Sequence, residues 1–212
     1  LAEFLGAAEG GVLEYAYADV VRLAGHSCPT VAAAYVLGCR ALAALYPDAL
    51  PQRGGVSVNV ADLLGQGVTG VTASVLTLLT GATGEGGFKG IGGRFVRRGL
   101  LDFGSEQTHS SIRITRLDTG AAVDVDSDLS QVPADPDLSR LFGRCARGEA
   151  DAAERRRFGE LQITDALAEV VAARLLDAVA PVPEVDVVEI ELEDLVLGQR
   201  LLDAPRQDHF LR

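Results

Sequence analysis

The sequence lacks a run of about 18 apolar residues without charge, which argues against a membrane-spanning helix. It has only three cysteines, Cys28, Cys39 and Cys145, whose odd number and irregular spacing exclude a disulfide scaffold and favour a reducing, cytoplasmic setting. Basic residues are not in excess. The formal net charge is −11, which argues against nucleic-acid or anionic-lipid partners because phosphate contacts need a basic face.

Common catalytic and nucleotide-binding signatures are also absent. Neither H-E-x-x-H nor G-x-S-x-G occurs, so zincin and α/β-hydrolase interpretations lose their usual support. The glycine-rich segment 81–99 satisfies neither G-x-G-x-x-G nor the Walker pattern. No targeting segment is visible, but because the sequence begins at Leu1 rather than Met we expect trimming at this end, which leaves a removed targeting segment as an open alternative.

What is present fits one folded domain with an appendage. The chain has 212 residues, of which 48% are apolar, enough to form a core without disulfides or a structural metal. Apolar spacing and turn residues predict, in order, helices at 12–24 and 29–46, a strand at 56–60, a helix at 68–79, a loop at 81–99, a hairpin of 112–116 with 121–125, helices at 137–147 and 151–179, and a strand at 185–192. We therefore expect a body at 1–130 and a helical appendage with a returning strand at 131–212.

The segment Gly25-His26-Ser27-Cys28-Pro29 is the most informative candidate site. If Pro29 begins the second helix, Cys28 is its N-cap residue, where the helix dipole favours a thiolate. An imidazole and a thiolate at this spacing suit zinc or a similar divalent metal, and they also suit a Cys–His nucleophile pair. A buried cysteine beside a hydrogen-bonded histidine is the structural alternative, and haem ligation is another.

Other cysteines and histidines contribute less to this site. Eleven residues separate Cys28 from Cys39, about 16 Å along a helix, so one metal cannot bind both. We interpret Cys39 and Cys145 as core residues. His109 either adds a third ligand to His26 and Cys28 or faces water.

A basic segment stands out in an otherwise acidic chain. Residues 85–116, which include Lys89, Arg94 and Arg98, carry a net charge of +3, whereas the rest of the chain carries −14. Such a segment suits a small anion or a carboxylate, or else it forms salt bridges to the acidic remainder.

An ordered set of segments resembles the E-subunit family of formylmethanofuran dehydrogenase, and especially its stand-alone members. The segments are Gly25-His26-Ser27-Cys28-Pro29-Thr30, Thr80-Gly81-Ala82-Thr83, the run from Gly87 to Phe95, Arg97-x-Gly99-Leu100-Leu101, and Thr115-Arg116-x-Asp118-Thr119-Gly120. The resemblance covers about residues 12 to 165. It implies an α+β fold, a mixed β-sheet packed against helices and similar to the catalytic domain of glyceraldehyde-3-phosphate dehydrogenase.

The resemblance also implies a homodimer and a metal, usually zinc, at His26 and Cys28. Methanogen-type members have further cysteines, but here the corresponding position is Ala82 and no cysteine lies between 40 and 144. Two protein ligands, completed by water or a partner chain, leave an open coordination position. Because stand-alone members lack the tungsten or molybdenum subunits, the resemblance does not extend to formylmethanofuran chemistry.

These observations lead to one leading hypothesis and two alternatives. The leading hypothesis is a cytoplasmic, dimeric metalloprotein in which Thr80, Thr83 and the 84–93 loop wall the pocket. Lys89, Arg94 and Arg98 would then attract a small anionic ligand, and any catalysis would use the metal as a Lewis acid or to activate water. The alternatives are an accessory protein that binds a metal or small ligand without turnover, and an enzyme with a Cys28 nucleophile assisted by His26.

Overall fold

The computed structural model describes residues 1–106, 111–127 and 135–172, with side chains up to residue 162. A short 3-10 turn, Glu9–Gly11, precedes the regular elements. These elements are α1 (Tyr17–Ala24), α2 (Pro29–Leu45), β1 (Val56–Val60), α3 (Thr69–Thr80), β2 (Leu101–Phe103), β3 (Ile112–Arg116), β4 (Ala122–Val125), α4 (Pro136–Ala146) and α5 (Ala152–Ala172).

The described strands form one mixed sheet in the order β2-β1-β3-β4. β1 pairs in parallel with β2 and antiparallel with β3, and β3 pairs antiparallel with β4. Val56, Val58 and Val60 of β1 are buried while Ser57 and Asn59 are half-buried, which is the alternation expected when one face of a sheet packs on a core. The α+β architecture expected from the sequence is confirmed.

Helix α2 is the centre of the packing. Nine of its residues are buried, as its alanine- and leucine-rich sequence predicts. At Gly38 the helix comes so close to α3 that an added Cβ would lie 2.6 Å from Leu79 Cδ1. One face of α2 contributes to the core on the sheet, and another packs with Val20 of α1 and Val75 of α3. Helix α5 also packs along α2, so it lies on the body of the fold.

The structure differs from the sequence predictions in two places, and two further predictions concern residues that the structure does not describe. Residues 12–16 are not helical: α1 begins at Tyr17, because Ala16 is extended and its N–H donates to the Asp19 carboxylate. Strand β2 was not predicted, since its three residues acquire their conformation by pairing with β1. The end of the helix predicted at 151–179 and the strand predicted at 185–192 lie outside the described residues.

Candidate functional site

The connection between α1 and α2 is built as the sequence predicts. Gly25 ends α1 in the left-handed region (φ 76°), where its N–H donates to the Val21 carbonyl oxygen. Pro29 is the first residue of α2, and Cys28 is its extended N-cap residue. The connection thus consists of four residues, Gly25 to Cys28, and two of them, His26 and Cys28, carry potential metal ligands.

His26 is exposed, and its ring is fixed at one nitrogen. Nδ1 lies 3.0 Å from the carbonyl oxygen of Ala24. Because a carbonyl oxygen only accepts hydrogen bonds, this contact requires the proton on Nδ1 and leaves the Nε2 lone pair free. Metal-binding histidines commonly have this arrangement, in which one nitrogen donates to the backbone and the other is the ligand.

Cys28 is half-buried with a free thiol. Its side chain makes no capping hydrogen bond, and it packs against the apolar cluster of Val20, Val31, Ala34 and Val75. The neighbouring Ser27 shares a 2.8 Å hydrogen bond with the Tyr17 hydroxyl, which ties the connection to α1. The sulfur therefore has an apolar wall on one side, an arrangement that suits both a metal ligand and a packed cysteine.

The donor set at this place is small. Among the residues that the structure describes, no group of three or more His, Cys, Asp or Glu residues is placed to hold a metal ion. His109, the third ligand considered from the sequence, lies outside the described residues. One imidazole and one thiol have the right chemistry for zinc, and the remaining positions must be filled from elsewhere.

The two threonines predicted to wall the pocket are used by the backbone. The buried Thr80 hydroxyl donates to the Leu76 carbonyl oxygen at 2.6 Å and accepts from the Ala82 N–H at 3.1 Å. The Thr83 hydroxyl donates to the Arg97 carbonyl oxygen at 2.8 Å. Both side chains stabilise the start of the glycine-rich loop.

The structure does not bring Thr80 to the start of α2. Helices α2 and α3 run in the same direction. Thr30 and Thr69, near the starts of the two helices, line one cleft, and Gly38 contacts Leu79 nearer their C-terminal ends. Thr80 is eleven residues beyond Thr69, about 16 Å along α3. The Thr80 end of the loop and the His26–Cys28 connection thus lie near opposite ends of the α2–α3 pair.

The glycine-rich loop folds back on itself. Backbone hydrogen bonds join Phe88 to Arg97 and, near the tip, Ile91 to Arg94. Lys89, Arg94 and Arg98 are exposed on this loop, and the Arg94 guanidinium lies over the Phe95 ring at 4.8 Å. None of the three cations has an ion-pair partner among the described residues.

Sequence reasoning missed a cleft of about 140 Å³ beside the first turns of α2 and α3. Its polar lining comes from Thr30, Thr69, Thr72, Asp62, Ser111, Asp126 and Ser127. Asp126 accepts from the Ser111 hydroxyl at 2.7 Å and from the Ser127 N–H at 2.8 Å. These residues come from five separate segments, so no local motif announces the cleft.

Comparisons with known proteins do not identify a family. The sequence matched no protein-family model, and a search of curated proteins also gave no match. Within the described part of the chain, no helix combines the length and the apolar composition that crossing a membrane requires.

Proposed function

We propose that this chain is a metal-binding protein related to the E subunits of formylmethanofuran dehydrogenase, with zinc held by His26 and Cys28. The observation that carries the proposal is the 3.0 Å contact from His26 Nδ1 to the Ala24 carbonyl oxygen. This contact leaves Nε2 of His26 available as a ligand. Two residues later, the thiol of the N-cap residue Cys28 makes no capping hydrogen bond. Cys28 would bind the zinc as a thiolate, which is the form of cysteine that binds metals.

Two protein ligands leave part of the coordination sphere to other donors. His109, water or a second copy of the chain would complete it, and a homodimer is part of the proposal. A zinc ion with an open position supplies Lewis acidity toward a bound small molecule. If the protein is an enzyme, its own residues contribute by binding the metal and by attracting the ligand.

A small anion is the ligand class that the exposed cations favour. Lys89, Arg94 and Arg98 have no ion-pair partner among the described residues and lie on a loop in an acidic protein. Such charges raise the local concentration of anions around the loop, which starts near the opposite end of the α2–α3 pair from His26 and Cys28. Their effect on ligand association should weaken as salt rises, because the Debye length falls to about 8 Å at physiological ionic strength.

An accessory protein that binds a small ligand without turnover is the second candidate. The cleft near α2 favours it, because carboxylates and hydroxyls line its polar side and, among the described residues, no lysine or arginine does. This lining suits a small molecule with hydroxyl or amine groups. The two candidates differ in whether added zinc is needed for ligand binding.

Metal content is the experiment that tests the proposal. Purified wild type, His26→Ala and Cys28→Ala are dialysed against zinc and then analysed by mass spectrometry, with Cys145→Ala as the matched thiol control. The proposal predicts that wild type and Cys145→Ala retain zinc, whereas the other two variants lose most of it. Full zinc occupancy in both His26→Ala and Cys28→Ala would show that the site is wrongly assigned.

A further inference from the structure

Two arginines from distant parts of the sequence meet at the C-terminal end of α3. Arg53 precedes β1, and Arg97 lies in the glycine-rich loop. Arg53 Nη1 donates to the Leu78 carbonyl oxygen, and its guanidinium lies 5.1 Å from the centre of the Tyr15 ring. The two side chains pass the same point of the backbone, because a Cβ added at Gly81 would lie 2.8 Å from Arg53 Cγ and would overlap Arg97 Nη1. Burial lowers the pKa of Arg97, and the positive charge of Arg53 lowers it further.

Glycines make room for the Arg97 side chain. A Cβ added at Gly81 would overlap Arg97 Nη1, and one added at Gly54 would lie 3.1 Å from Arg97 Nε. Both glycines have positive φ angles, 75° and 80°, a conformation that other residues rarely adopt. The guanidinium of Arg97 lies against the backbone at both positions, where a Cβ atom would crowd it. The Arg97 side chain therefore lies in a narrow space beside Gly81 and Gly54 and is half-exposed to solvent.

The C-terminal end of α3 has donors other than Arg97 for three of its carbonyl oxygens. Its Thr77 carbonyl oxygen accepts from the Gly81 N–H at 2.9 Å, and its Thr80 carbonyl oxygen accepts from the Gly54 N–H at 2.6 Å. Leu78 already has Arg53 as its donor. Arg97 makes no side-chain hydrogen bond or ion pair with any residue that the structure describes.

We infer that Arg53 and Arg97 form a binding site for an oxyanion of the phosphate class, either free phosphate or the phosphate group of a small molecule. Two guanidinium groups carry two positive charges, and the end of α3 offsets them by only about half a charge. A phosphate group carries a charge of about −1.5 to −2 near neutral pH. It therefore matches the remaining positive charge of the two arginines better than the single negative charge of a carboxylate does. The planar fork of Arg97 presents its N–H groups to such a ligand.

This site is independent of the proposed zinc site. It lies at the C-terminal end of α3, whereas the His26–Cys28 connection belongs to the opposite end of the α2–α3 pair. It also differs from Lys89, Arg94 and Arg98, which are exposed. Phosphate binding at Arg53 and Arg97 would stand even if the chain bound no metal.

Calorimetric titration of the zinc-free 212-residue chain with inorganic phosphate, phenyl phosphate and acetate at constant ionic strength tests the inference. The wild-type protein should bind both phosphate probes more tightly than it binds acetate. Arg97→Gln should weaken phosphate binding at least about tenfold, the loss expected for a charged hydrogen-bonded contact. Arg156→Gln, which removes the same charge from an exposed position of α5, should change the affinity less than about twofold.

Arg97→Lys separates geometry from charge, because it keeps the charge but loses the fork and should also weaken phosphate binding. Circular dichroism and thermal unfolding establish that each variant is folded. Tighter binding of phenyl phosphate than of phosphate would assign the site to a phosphorylated small molecule, and the reverse order would assign it to free phosphate. Equal loss in Arg97→Gln and Arg156→Gln, equal affinity for acetate, or no phosphate binding by wild type would overturn the inference.

Discussion

His26 Nδ1 lies 3.0 Å from the carbonyl oxygen of Ala24, the last residue of α1. This contact assigns the proton of the neutral imidazole to Nδ1. We predict that neutral His26 is the Nδ1–H tautomer, which long-range ¹H–¹⁵N correlation spectra would identify by the nitrogen shifts. Predominance of the Nε2–H tautomer in the metal-free protein would mean that the contact does not hold the ring and that Nε2 is not the free ligand.

The cysteines should differ in reactivity. Burial raises the pKa of the Cys39 thiol, an effect only partly offset by its hydrogen bond with Tyr35. Since the thiolate is the reactive form, Cys39 should be alkylated more slowly than Cys28 in metal-free protein at pH 8. Peptide mass spectrometry after timed exposure to iodoacetamide measures both rates.

Zinc should then slow the alkylation of Cys28 and leave the Cys39 rate unchanged. Protection should disappear in His26→Ala, because the metal would lose one of its two proposed protein ligands. Equal protection of both thiols, or protection that survives in His26→Ala, would contradict the proposed pairing of His26 with Cys28.

A partly buried ion pair should contribute to the stability of the sheet. Asp124 of β4 is 5% exposed, and its Oδ2 lies 2.6 Å from Nη1 of the cross-strand Arg113. Replacing Arg113 by Met leaves the buried carboxylate without its counterion, which should lower the free energy of unfolding by about 3 kcal/mol. Urea denaturation measures this loss.

Two further variants separate charge pairing from general damage. The double variant Arg113→Met with Asp124→Leu should recover much of the loss, because no unpaired charge remains. Arg140→Met, which breaks an exposed pair with Asp137, should cost no more than about 1 kcal/mol. If the double variant were less stable than Arg113→Met alone, the buried charge would not be the cause.

The Arg116–Asp118 pair predicts a specific pH dependence. The hydrogen bonds from Arg116 lower the pKa of the Asp118 carboxyl. A lowered folded-state pKa contributes stability that is fully present above the ordinary aspartate value, about 3.9, and is lost as the pH falls through the folded value. Carboxyl ¹³C titration should therefore place Asp118 below its ordinary pKa, and Arg116→Gln should move it upward.

Arg113→Gln is the control for that titration, because its ion pair is with Asp124 and not with Asp118. An Asp118 pKa that is unchanged in Arg116→Gln would refute the assigned cause. The stability of wild type and Arg116→Gln should also converge as the solution becomes more acidic than the folded Asp118 pKa.

Local sequence patterns predicted most of the described elements. Pro29 after Cys28 located the start of α2, and its alanine-rich composition predicted its burial. Alternating valines predicted β1, and Asp118-Thr119-Gly120 predicted the β3–β4 hairpin. Each of these features depends on neighbours in the sequence, for which propensity and periodicity are direct physical causes.

Features that depend on distant residues were not predictable in this way. β2 exists because Leu101–Phe103 pairs with β1 some forty residues earlier in the chain. The meeting of Arg53 with Arg97 and the cleft beside Thr30 and Thr69 also arise from packing between remote segments. By contrast, the His26–Cys28 candidate was visible because both residues occupy one short connection, although the sequence did not reveal the Ala24 contact.

Zinc-edge X-ray absorption on the zinc-loaded 212-residue chain tests the central claim most directly. Binding by His26 and Cys28 predicts one sulfur scatterer at about 2.3 Å and at least one imidazole nitrogen at about 2.0 to 2.1 Å. In Cys28→Ser the sulfur scatterer should vanish, while in Cys39→Ser it should remain. A zinc environment without sulfur in the wild type, or a sulfur scatterer that persists in Cys28→Ser, would contradict the account.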